Sequence, residues 1–114
     1  MNGALEFQLR GLLEAIENVI RLADEPLDEW LGDNTRRPAA YWWAIVAAFY
    51  VQQISGPLGL VGKVPIRRHT IGLRNRLARN PERISHIVTY LTFVDEYGRL
   101  RDEVLGYLTT LSQP

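Results

Sequence analysis

The chain has 114 residues, 46% hydrophobic and 23% charged, a balance that supports a packed core and excludes intrinsic disorder. It contains no cysteine, which excludes a disulfide scaffold or a thiolate metal centre and fits a reducing, cytoplasmic setting. Net charge is zero, but residues 1–33 hold eight acids against two arginines, whereas residues 36–83 hold nine basic residues against one acid. The molecule is therefore dipolar: the basic stretch calls for an anionic partner, and the acidic one can fold back on it or meet a second subunit. Twelve of the 13 basic residues are arginine, the side chain suited to bidentate contacts with phosphate or carboxylate.

From the N-terminus, Leu5, Leu9, Leu12, Ile16, Val19 and Ile20 recur at spacings of three and four, opposite Glu6, Arg10, Glu14, Glu17 and Arg21. That pattern predicts an amphipathic helix fading near Asp24–Pro26. Leu27, Trp30 and Leu31 add a short turn before Gly32, and Gly32–Pro38 reads as a loop with Arg36 and Arg37 solvated. Met1–Arg10 lacks the basic start and apolar run of a signal peptide. Every residue from Ala39 to Val51 is apolar or aromatic, and Pro38 occupies a first helical position. Thirteen such residues fall short of the ~20 needed to span a bilayer, so this helix is expected to be buried on nearly all sides, in the core and at a subunit interface.

Ser55–Pro65, with its glycines and prolines, reads as a loop. Lys63 is followed by Val64, so no phosphate-binding P-loop is present. Pro65 opens a helix to about Arg79 with Ile66, Leu73 and Leu77 inward and Arg67, Arg68, Arg74, Arg76 and Arg79 uninterrupted by an acid. Asn80 and Pro81 read as the N-cap and first residue of a last helix. Its apolar period runs through Ile84, Ile87, Val88, Leu91, Val94, Val104, Leu105, Leu108 and Leu111. His69 and His86 are read as ordinary surface or packed histidines, too few for a metal site. Asp24, Glu25, Asp28 and Glu29 form a solvated or partner-docking acidic face. The expectation is one all-α domain over residues 1–114, a four- to five-helix up-down bundle requiring no cofactor, no metal and no membrane.

The stretch Val64–Arg79, with Ile71-Gly72-Leu73-Arg74-Asn75-Arg76-Leu77-Ala78-Arg79 at its centre, resembles the signature of HEPN domains of the HepT-like toxin family, G-L/F-R-N-x-L/I-A-H. The order of helices over residues 5–111 is similar to that family's as well. The resemblance implies a HEPN-like bundle, commonly a homodimer whose motif helices line a cleft, and a metal-independent endoribonuclease in active members. An arginine there holds the scissile phosphate, a histidine five residues after it moves the proton, and an asparagine helps orient the pair. Arg74 and Asn75 match, but the histidine position is Arg79, the tyrosine position two further on is Pro81, and no R-x-x-x-x-H occurs in the chain. Arginine cannot release a proton near neutral pH. The expected function is therefore that of a toxin–antitoxin or defence protein acting on or binding RNA, with ribonuclease activity weakened or lost. Arg74 and Asn75 are the catalytic candidates, and Arg67, Arg68, Arg76 and Arg79 the RNA contacts. The family's usual partner is a nucleotidyltransferase antitoxin. The alternative is a non-catalytic helical adaptor, or a small subunit of a defence or ribonucleoprotein complex.

Overall fold

Residues 3–58 and 65–112 are described by a computed structural model, their side chains everywhere except at 55–58 and 65–69. Over them the chain folds as α1 (Gly3–Leu22), α2 (Leu27–Leu31), α3 (Arg36–Leu58), α4 (Pro65–Arg79) and α5 (His86–Leu111), with a 3-10 turn at Pro81–Arg83. The fold is an all-α bundle. Its centre is α1, whose Leu5, Leu9, Leu12, Ile16 and Val19 are buried, as the spacing predicts. It packs against α3 on one side and α5 on the other, while α4 lies against α3.

Side-chain contacts fix the directions. Arg36, at the start of α3, donates to the Leu22 and Arg21 carbonyls at the end of α1 (3.3 and 2.5 Å). Late in α3, the Tyr50 ring lies so close to Gly11 that a β-carbon there would stand 2.5 Å from it. Hence α3 runs antiparallel to α1, and a β-carbon at Gly11 would force the Tyr50 ring to shift. Tyr90, early in α5, donates to the Glu25 carbonyl just past α1 (2.7 Å), so α5 also runs back along α1.

Trp30 closes this end of the core. It is fully buried and meets Tyr41, Tyr90 and Phe93 at centroid separations of 5.9, 5.3 and 6.1 Å, edge-on or tilted as ring quadrupoles prefer. Five residues of α2 thus serve mainly to deliver one indole.

Several sequence-based boundaries move. Gly32–Pro38 is not all loop: α3 begins at Arg36, because the Asp33 carboxylate accepts the backbone N–H groups of Thr35 and Arg36 (2.9 and 2.7 Å). Arg36 and Arg37 are not solvated either. Arg36 caps the end of α1, and Arg37 donates to the Leu31 carbonyl at the end of α2, where helix carbonyls lack partners. The loop expected from Ser55 starts later, since α3 continues to Leu58. Val51 and Ile54 are buried and anchor the extra turns, and a proline so near the end removes a single ladder bond. The remainder of that loop, 59–64, lies outside the described residues. Nor is α3 buried on nearly all sides: Ala40, Ala44, Ala47, Val51 and Ile54 face the core, while Trp42 and Phe49 are exposed.

The last helix does not begin at Pro81. Asn80 makes no side-chain cap and Ile84 is extended; Ser85 is the true cap, its hydroxyl accepting from the Val88 N–H (3.2 Å). The apolar period of this helix divides between two faces. Ile87, Val88, Leu91 and Val94 do not face inward but are 49, 61, 54 and 56% exposed. The core takes Thr89, Phe93, Tyr97, Leu100, Val104 and Leu108 instead. Two apolar stripes share this helix, and the one bearing the aromatic bulk fills the space beside Trp30.

Tyr41 and His86 join α3 to the start of α5: their rings stack at 5.5 Å, and the Tyr41 hydroxyl shares a hydrogen bond with His86 Nδ1. Burial first, and then the Arg37 charge, hold the His86 pKa below its ordinary 6.5. As pH falls through 6.5, the unfolded chain takes up this proton while the folded chain resists it. Stability should therefore decline from pH 6.5 down to the depressed folded value and then level off. Urea midpoints measured across this window should show that decline, and His86→Gln should flatten it; an equal decline in the variant would assign it elsewhere.

Candidate nucleic-acid interface

The candidate residues lie on α4, whose fifteen residues include five arginines and no acid. Thr70 and Leu73 face the core and Leu77 packs against it, as the pattern predicts for the two leucines. The inward placement expected of Ile66, and the side chains of Arg67, Arg68 and His69, lie outside the described residues.

Arg74 leans toward α3. Its Nη1 donates to Gln52 Oε1 at 2.6 Å and its Nη2 to Asn75 Oδ1 at 3.4 Å, so the motif's arginine and asparagine stand together. Gln52 was missed from the sequence, although a glutamine pair closing a thirteen-residue apolar run was a visible sign of a polar neighbour. Two neutral amide oxygens orient the guanidinium without neutralising it, leaving N–H groups for an anion.

Asn75, Arg76 and Arg79 are exposed. Arg76 folds back along its own helix, its Nη1 3.7 Å from where a β-carbon on Gly72 would be. It also lines a cavity of about 70 Å³ with Leu73, Val88, Thr89, Thr92 and Tyr97. The buried Tyr97 hydroxyl has no hydrogen-bond partner among the described residues, and burial holds its pKa well above the ordinary range. Arg79 ends the helix, where its charge complements the carbonyl end of the dipole. No carboxylate pairs with Arg74, Arg76 or Arg79 among the described residues; the described ion pairs lie on α1, on α5 and between Arg36 and Glu25.

Arg74 and Arg76 thus diverge to opposite flanks of α4, with Asn75 and Arg79 between them on the outer face. This geometry follows an extended phosphate backbone better than it encloses a small substrate. His86, the described histidine, is occupied with Tyr41. Among the described residues no cluster of His, Cys, Asp or Glu is placed to hold a metal ion, and no helix is long and apolar enough to cross a membrane. In comparisons with known proteins, no family model, curated protein or solved structure matches this chain.

Proposed function

We propose that the chain is a HepT-like HEPN protein of a toxin–antitoxin or defence system, which binds RNA through α4 with its ribonuclease activity weakened or lost. The observation that carries this reading is an acid-free helix on which Arg74 is oriented by Gln52 and Asn75 while Arg76 and Arg79 stand exposed and unpaired with carboxylates. Arg74 holds a phosphate oxygen through its free N–H groups, and Arg76 and Arg79 neutralise neighbouring phosphates. Cleavage further requires a group that accepts the proton of the attacking hydroxyl, and Arg79 stands where the resemblance places that group. Phosphate is held, but proton transfer lacks an agent. A homodimer with the two α4 helices facing one cleft, and a nucleotidyltransferase antitoxin, complete this reading. The adaptor reading draws its support from the exposed apolar residues of α5.

Cleavage of end-labelled tRNA in EDTA tests the proposal. The protein should bind without cutting at an appreciable rate, and Arg79→His should raise metal-independent cleavage about a hundredfold, the usual contribution of a placed acid–base group. Adding Arg74→Ala to that variant should abolish the gain. An Arg79→His protein that folds, binds RNA and still does not cut would refute the catalytic inheritance and leave a binding module.

A further inference from the structure

We infer that the exposed stripe of α5 is a dimer interface, on which α5 of a second copy lies antiparallel so that Asp24 of each copy meets Arg101 of the other. The inference rests on the homodimer of the reading above and names its interface. It uses none of the α4 arginines that carry RNA binding, so the two can fail separately.

Ile87, Leu91, Val94, Gly98, Arg101 and Leu105 follow one another at alternating intervals of four and three, the heptad spacing of a coiled-coil seam. The four aliphatic members are exposed, from 43% at Leu105 to 56% at Val94. From Ile87 to Leu105 the seam is about 27 Å long, at 1.5 Å per residue. Two members interrupt its apolar run. Gly98 leaves a recess, since a β-carbon there would meet nothing within 4 Å, and Arg101 brings a charge. Arg101 follows Val94 by two turns, so it stands on the flank that Val94 shares with a groove lined by Ile20, Ala23, Asp24 and Tyr90.

Reversed, this seam is complementary to itself, which is what a twofold contact between identical surfaces requires. Let the two helices run antiparallel about Glu96, the midpoint of Ile87 and Leu105. Ile87 then meets Leu105 of the second copy, Val94 fills the space over its Gly98, and Leu91 lies under the stem of its Arg101. Leu91 falls between Tyr90 and Val94, which line the groove together with Asp24. The guanidinium above Leu91 therefore arrives beside Asp24, and the symmetry repeats this contact at the other end. Both charges are available: Asp24 is exposed and in no ion pair among the described residues, and Arg101 uses only its Nε on Asp102, at 3.4 Å. On the far flank the two Asp95 side chains approach each other near the axis, each already paired with its own Arg99 at 3.6 Å. One seam thus supplies bulk for its own recess and a base for the acid beside it, and this selects a second copy over a partner of unrelated sequence. Since α4 borders α5 at Val88 and Thr92, on the flank away from the groove, the α4 helices of both copies come to one side of the dimer.

Sedimentation equilibrium of the full chain over a concentration series is the test. The parent should dimerise, and Leu91→Asp should weaken the dimer about tenfold. Asp24→Arg and Arg101→Glu should each weaken it several-fold. The double variant should recover the parent affinity, because the exchanged charges meet again across the interface. Leu91 and Asp24 are exposed and Arg101 is half-buried, so these variants should keep the parent circular dichroism. A chain that stays monomeric, or a dimer indifferent to Leu91→Asp, would overturn the inference and leave the stripe to a different partner. A double variant no tighter than the single ones would overturn the antiparallel pairing of Asp24 with Arg101. A monomer that binds RNA would sink this inference alone, and a dimer that does not bind RNA would sink the α4 reading alone.

Discussion

Replacing Trp30 by alanine is expected to lower the free energy of unfolding by about 3–5 kcal/mol, the usual range for deleting a fully buried aromatic. The indole joins α2 to three rings, Tyr41 on α3 and Tyr90 and Phe93 on α5, so its loss opens a cavity where three helices meet. Collapse around that cavity is restrained from two sides: Tyr90 is tied to the Glu25 carbonyl, and Tyr41 to His86. Trp30→Phe should cost much less, about 1 kcal/mol, because the indole N–H is buried without a partner and its removal offsets part of the lost volume. Urea unfolding of the two variants separates these effects. Similar losses in both would mean that the indole N–H contributes a bond that its surroundings do not show.

The helices of this fold were legible wherever one face alone is apolar. Leu5 to Val19 specify α1 and its inward side, and Pro65 to Arg79 bound α4 correctly, because polar and apolar residues alternate there with helical period. Legibility failed where a local pattern was silent about long-range contact. Arg36 and Arg37 read as solvated loop residues, since nothing nearby in sequence reveals that the carbonyl ends of α1 and α2 lie beside them. In α5, the aliphatics Ile87, Leu91 and Val94 repeat as regularly as Phe93, Tyr97 and Leu100, and hydropathy alone cannot say which stripe meets α1. The candidate site was legible as residues but not as geometry. Arg74 and Asn75 stand out by their motif, whereas Gln52, 22 positions earlier, joins them only through the packing of α4 on α3.

Converting Arg74, Arg76 and Arg79 together to alanine is expected to remove most of the protein's affinity for single-stranded RNA, with little effect on stability. The three side chains are exposed or half-buried, and none is paired with a carboxylate among the described residues, so no buried charge is left unmatched. Each guanidinium that neutralises a phosphate releases counterions, giving a slope of about −0.7 per contact in a plot of log affinity against log salt for single strands. Three lost contacts should flatten that slope by about 2. Arg99→Ala, which removes an arginine paired with Asp95 on α5, should leave it unchanged. Filter binding of a single-stranded RNA across a salt series, comparing the parent, the triple variant and Arg99→Ala, is the most direct test of α4 as the nucleic-acid interface. A slope flattened by about 2 in the triple variant alone is the predicted result. A parent that does not bind, or a triple variant with the parent's slope and affinity, would contradict it.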